Sequence, residues 1–227
     1  VSNFNLNGST YVAWNWKAGG TAVSNTNGSI TSSVSANVDA GFSIVSYTGN
    51  GTSGATVGHG LASAPTMSIV KRRSTAGDQW AIYHQNTSGS PATTFMEFTT
   101  AAVQTATTRW NDTAPTSSVI TLGSHSSVNN NTDTFIAYCF HSVDGYSKVG
   151  SYTGNGMLDN ERNTYNPNDD WMAANLSNTE SNESNRLLDF LSNGFKARGT
   201  NADVNTSGHN YIFIAFAETP FKYSNAR

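Results

Sequence analysis

The sequence predicts an all-β fold of antiparallel, β-sandwich-like tandem repeats with little helix. Three observations carry that expectation. Short runs rich in Val, Ile, Thr and aromatics recur along the chain, each closed by a Gly/Asn/Ser cluster, as strands and turns require. Charged residues are only 12% of the 227, against roughly 25% in an average soluble protein, while five Trp, nine Tyr and eleven Phe remain to be buried. Lastly, the chain repeats itself: Phe135-Ile136-Ala137-Tyr138-Cys139-Phe140 matches residues 11–16 at an offset of 124 and residues 211–216 at an offset of 76.

The offset of 76 holds without a gap over a longer run, placing Pro91 on Pro167, Phe95 on Trp171, Met96 on Met172 and Val128-Asn129 on Val204-Asn205. A second echo has another spacing: Ser46-Tyr47-Thr48-Gly49-Asn50-Gly51 recurs as Ser151-Tyr152-Thr153-Gly154-Asn155-Gly156, 105 residues later. The two offsets differ by 29, so residues 52–80 have no counterpart between Gly156 and Met157. Four units follow. Residues 1–17 end a preceding repeat, 18–40 form an extended Ser/Thr/Gly-rich linker, 41–144 are the first full repeat, and 145–227 are a second repeat lacking that segment. Repetition at this length points to an extended structural protein before an enzyme.

Strands are expected at Ser9–Trp16, Gly41–Tyr47, Thr66–Arg73, Gln79–His84, Thr94–Thr99, Ser118–Leu122, Thr134–His141, Ser147–Tyr152, Leu187–Phe190, Phe195–Arg198 and Asn210–Ala217. Ser74–Asp78 is a Gly-containing connection that suits a hairpin, and Asn193-Gly194 suits the tight turn of another. The best helix signal is Thr179–Leu188, which has helix formers but no sustained apolar face. The linker 18–40 is read as ordered extended chain, because Val and Ile are scattered through it.

A net charge of −3 and a pI of about 5.9 carry no electrostatic signature of nucleic acid or a membrane surface. No apolar run approaches the ~18 residues that span a bilayer. No signal peptide is visible, Val1 is not an initiator Met, and Phe4-Asn5 aligns with Val128-Asn129. The chain therefore reads as the C-terminal part of something longer. Its single cysteine, Cys139, aligns with Asn15 and Ala215, so the repeat needs no thiol there and a small strand residue is the expected role.

No catalytic constellation stands out, no cofactor is implied and no enzyme is expected. The histidines at 59, 84, 125, 141 and 209 show no metal-ligand spacing. His59, between Gly58 and Gly60, is the most suggestive, though a loop or strand-end role suits it better. Asp159, Glu161, Asp169, Asp170, Glu180, Glu183 and Asp189 concentrate acid in one stretch, where paired carboxylates or a calcium loop would be sought. Asn166–Asp170 is oxygen-rich, but the first repeat has Ser90–Thr94 there, so a solvated loop is expected. Lys71-Arg72-Arg73 should lie at the surface or pair with acids of another chain. Trp14 and Trp16 align with apolar residues of the other copies and read as a core or interface stripe, as do Phe95 and Trp171. Trp110 has no aromatic equivalent, so it is the tryptophan to test first for ligand contact. Nine Asn-x-Ser/Thr sequons are what chance gives in so Asn- and Ser/Thr-rich a chain.

Several phrases carry a resemblance. They are Thr10-Tyr11-Val12-Ala13-Trp14-Asn15-Trp16-Lys17-Ala18-Gly19-Gly20, residues 41–51, Val57-Gly58-His59-Gly60-Leu61 with Ala64-Pro65, and Ile69–Arg73. The closing phrases are Asp189–Lys196 and Tyr211–Glu218. Together they resemble the C-terminal tandem-repeat region of tail-fibre-like virion proteins from marine tailed bacteriophages. The resemblance covers essentially the whole chain. The jump from Gly156 to Met157 departs from it, since a segment like Thr52–Trp80 is expected there. The resemblance implies a virion structural protein at the particle surface, partnered by other virion subunits and homo-oligomeric with a trimer favoured, while low charge and abundant Ser, Thr and Asn suit a bacterial surface glycan or neighbouring subunits. Capsid decoration, a head fibre or a secreted carbohydrate-binding module are the alternatives. Its receptor-binding residues are left open.

Overall fold

Residues 135–140 are apolar at every position, so a strand built from them must be covered on both faces. The computed structural model makes that strand the centre of the fold. It describes residues 15–87, 90–98, 100–152, 165–171, 181–182, 184–191 and 194–217. The first strands are β1 (Val23–Asn25), β2 (Ser32–Asn37), β3 (Phe42–Thr48), β4 (Ala55–Gly58), β5 (Met67–Arg72) and β6 (Ala81–His84). After a 3-10 turn at Pro91–Thr93 come β7 (Thr94–Glu97), β8 (Thr100–Thr105), the single-turn helix α1 (Thr107–Trp110), β9 (Val119–Leu122), α2 (Ser126–Asn129) and β10 (Thr134–Phe140). The remainder is β11 (Ser147–Tyr152), β12 (Asp170–Trp171), β13 (Ser181–Asn182), β14 (Leu188–Leu191), β15 (Gly194–Ala197), α3 (Ala202–Asn205) and β16 (Tyr211–Phe216).

Eight strands form one antiparallel sheet in the order β1-β2-β3-β10-β5-β6-β7-β8. Strand alternation splits β10 between two cores. Phe135, Ala137 and Cys139, all fully buried, face a cluster with Val45, Tyr47, Val70, Tyr83 and Val128, closed by Val57, Ile120 and Leu122 of the β4·β9 pair and by Trp110. Tyr138 and Phe140 face the other way, onto Phe42, Met67 and Ile82. That second face is covered by Val149 of β11 and Ile214 of β16, which pair with each other in the next repeat. Each such side chain, once fully covered, contributes about 1.5–3 kcal/mol.

The repeat is visible residue by residue. β3 pairs with β10 from Phe42↔Phe140 to Tyr47↔Phe135, and β11 pairs with β16 from Ser147↔Phe216 to Tyr152↔Tyr211. All six pairs keep the offsets of 105 and 76. α2 and α3 are likewise 76 apart, and Asn129 Nδ2 donates to Gly123 O at 3.2 Å where Asn205 Nδ2 donates to Gly199 O at 2.9 Å. One pairing differs. β9 takes β4 as partner, a strand inside the segment that the second repeat lacks, whereas β15 takes β14 in a local hairpin.

Three expectations are corrected. The stretch 18–40 is extended but is not a spacer, because β1 and β2 within it extend the first repeat's sheet: β2 pairs with β3 from Ser32↔Tyr47 to Asn37↔Phe42. The weak helix signal at Thr179–Leu188 is not realised in its described part, where Ser181-Asn182 pairs with β12 and Leu188 opens β14. Asn15 and Trp16, the described end of the strand expected at Ser9–Trp16, join no ladder. The Gly156–Met157 junction lies outside the described residues.

Candidate functional site: an aromatic joint between repeats

Repeat equivalence places Trp16, Phe140 and Phe216 at the same position of three successive copies, and these three side chains meet. Ring centroids lie 5.8 Å apart for Trp16–Phe140, 5.7 Å for Trp16–Phe216 and 6.5 Å for Phe140–Phe216, tilted or edge-on as aromatic quadrupoles prefer. Phe42, opposite Phe140 in the ladder, packs at 4.8 Å, and Tyr146 packs on Phe216 at 5.9 Å. The backbone repeats too: His141 N–H donates to Gly41 O at 2.9 Å, and Ala217 N–H donates to Tyr146 O at 2.7 Å. Phe140 and Phe42 are 4% and 3% exposed, whereas Phe216 and Trp16 keep 36% and 39%.

The chain after Trp16 is strapped across β2. Asn37 Nδ2 donates to Lys17 O at 3.0 Å and Ser35 Oγ donates to Gly20 O at 2.7 Å. Ala18 packs on the outer core, and Gly19 lies so close that a Cβ there would run into Ala36 O. Beside the strap, Lys17–Gly20 and Ala36–Asp39 line an open surface depression.

A second constellation went unread in the sequence. Asn129, fully buried, donates to Thr52 O at 2.9 Å and to Gly123 O, and its Oδ1 accepts from Asn50 N–H at 2.9 Å. It clamps the loop after β3, where Gly51 sits at φ 70° and its N–H reaches Asn129 O. Tyr47 OH donates to Val128 O at 2.7 Å, and burial holds its phenol well above the usual range. The signal was the Val-Asn pair recurring at 128–129 and 204–205, which marks an anchor as readily as core.

The other candidates fall into structural roles. His59 is sealed: Nε2 contacts Thr116 O at 3.1 Å, Nδ1 accepts from Leu61 N–H at 3.1 Å, and burial lowers its pKa. His84 is as deeply buried, with Nδ1 accepting from Asn86 N–H at 3.1 Å, and desolvation lowers its pKa to about 4. Its Nε2 faces the Gly150 backbone outside hydrogen-bond geometry and is unpartnered among the described residues. His125 Nδ1 caps α2 through Ser127 N–H, His141 Nδ1 lies 2.8 Å from Ser142 O, and the His209 ring packs on Tyr211. The Cys139 thiol, beside Ser68, is pushed up to about 11 by burial.

Trp110 is not a surface platform. It is 2% exposed, edge-on to Tyr83, with Nε1–H donating to Thr94 O at 2.9 Å. Trp80 packs on Tyr138 and Phe98, while Trp14 lies outside the described residues. The basic run finds acids in its own chain: Arg72 pairs with Asp78 at 2.7 Å and with Asp133, and Lys71 sits over the Trp80 ring. The guanidinium of Arg109, beneath the surface, pairs with Glu97 at 3.3 Å and covers the Phe95 ring.

Of the acidic stretch, Asp189 pairs with Arg198 at 3.3 Å and Asp170 accepts from Asn182 at 3.2 Å. Asp159, Glu161, Glu180 and Glu183 lie outside the described residues. Asn166, in the oxygen-rich segment, spends its amide on β14, donating to Phe190 O at 2.8 Å and accepting from Phe190 N–H at 2.9 Å. Among the described residues no group of three His, Cys, Asp or Glu is placed to hold a metal, and no helix is long and apolar enough to cross a membrane.

Comparison with known proteins finds one family. The profile of a domain of unknown function (DUF7483) matches the chain twice, over residues 1–159 and 156–220. No curated protein and no solved structure matches.

Proposed function

The chain belongs to the DUF7483 family, and we propose that it is a structural, non-enzymatic component of a phage virion, the distal part of a tail fibre or surface appendage that takes part in host attachment. The observation that supports this reading is the aromatic joint. Copies of one unit are packed on one another through equivalent residues, which is how an array is built. The tail-fibre-like resemblance supplies the virion, and low charge with abundant Ser, Thr and Asn gives a hydrogen-bonding exterior suited to a bacterial surface glycan. Attachment would be multivalent, with several weak sites on rigid repeats raising the effective concentration. Other virion subunits and further copies of the chain, in a trimer by preference, would cover its sheet edges.

The open depression beside Lys17, Asn37 and Asp39 favours a second reading, a carbohydrate-binding module, and capsid decoration is the third. Gold-labelled antibody against the chain, viewed on purified particles, separates them. Label at the tail end or on projecting fibres supports attachment. Label over the capsid shell moves the chain to decoration. Unlabelled particles with free chain in the medium overturn the virion reading.

A further inference from the structure

We propose that Phe42, Phe140 and Phe216 form a socket for the Trp16 segment of a second copy of this chain, a place that Trp16 holds in cis here. The partner follows from the pseudo-symmetry. Trp16 is the counterpart of Phe140 and Phe216, so the third ring in the socket is the end of a copy, docked on the ends of the two that follow it.

The contacts are ones that the same segment of a second chain can offer. The strap is held through main-chain carbonyls, Lys17 O by Asn37 and Gly20 O by Ser35. Beyond those it needs an aromatic ring for the socket, a small residue at Ala18 and the missing Cβ of Gly19, which the first copy alone supplies, since Val143 and Thr219 stand at that position in the other two; the partner is therefore residues 15–20 of a second chain. Phe42 and Phe140, the floor of the socket, are sealed, while Phe216 and Trp16 at its rim stay about equally exposed. The exposed remainder of two rings falls far short of the ~800 Å² per partner of a stable protein interface, so this is a hook that joins copies and not a dimer face. Nothing in it depends on which particle carries the chain, and the labelling experiment can fail while the socket stands.

The test uses the whole chain with Trp16→Ser, which empties the socket, and a synthetic peptide of residues 15–22, whose only tryptophan is Trp16. Saturable binding with a blue shift of the peptide's fluorescence is expected for the Ser variant, at least tenfold tighter than for the wild-type chain, where the tethered Trp16 competes. No binding to the variant at millimolar peptide, or equal binding to both chains, overturns the proposal. Trypsin provides a readout that survives partial misfolding. Cleavage after Lys17 should be slow in the wild type and in Trp16→Phe, and at least tenfold faster in Trp16→Ser. Equal rates for the two variants would show that the ring is not the anchor.

Discussion

At His84 a ring that titrates near pH 6.5 when unfolded is sealed against Asn86 and the Gly150 backbone, and its folded pKa falls to about 4. The neutral form is the one folding selects, so stability is full above pH 6.5 and is lost as the pH falls toward 4. His59 acts in the same direction. The loss reaches about 3 kcal/mol for His84. The urea midpoint should therefore drop between pH 7.5 and pH 4.5, and a His84→Gln variant should show a shallower pH slope; an unchanged slope would rule this residue out. Asn129 yields a second prediction. Asn129→Ala removes bonds to Thr52, Gly123 and Asn50 at a buried site and should cost about 2–4 kcal/mol in denaturant titration. Asn205→Ala, exposed and bonded to Gly199, should cost about 1 kcal/mol. Residue roles were legible where copies could be compared, as at Cys139 or the Trp16 position. They were illegible at Trp110, whose covering groups, Tyr83 and Thr94, come from elements that repeat alignment does not connect to it.

Strands with clear alternation or continuous apolar runs were readable to within a residue or two, β5, β10, β11 and β16 among them. β1, β2 and β4 were not, because Ser, Thr, Asn and Gly fill them and their register comes from a neighbour rather than from their own propensity. The weak helix signal at Thr179–Leu188 yielded for the complementary reason: helix formers without an apolar stripe gave way, at Ser181-Asn182, to pairing with β12. Pairing also accounts for how the second repeat manages without residues 52–80. β14 occupies beside β15 the place that β4 holds beside β9. Inserting residues 52–80 between Gly156 and Met157 would supply a second claimant for that edge. Hydrogen exchange should then show faster exchange at Leu188–Leu191 while Phe195–Ala197 stays protected. If Leu188–Leu191 keeps its protection, the two strands are not interchangeable.

The whole molecule does not divide where its sequence repeats. The outer face of the first repeat's sheet, with Phe42, Met67, Ile82 and Phe140, is closed by Val149 and Ile214 of the second. Unfolding should accordingly be one transition, with tryptophan fluorescence and far-ultraviolet dichroism coinciding. Ile214→Ala, a change in the second repeat, should lower that single midpoint by about 2 kcal/mol. Two separated transitions in the wild type would show that the repeats fold independently. The shared face also bears on inheritance. A break at the sequence boundary near residue 144 strips an apolar face bare. Truncations at that boundary are therefore the changes expected to be selected against, because they uncover Phe42, Met67, Ile82 and Phe140 together.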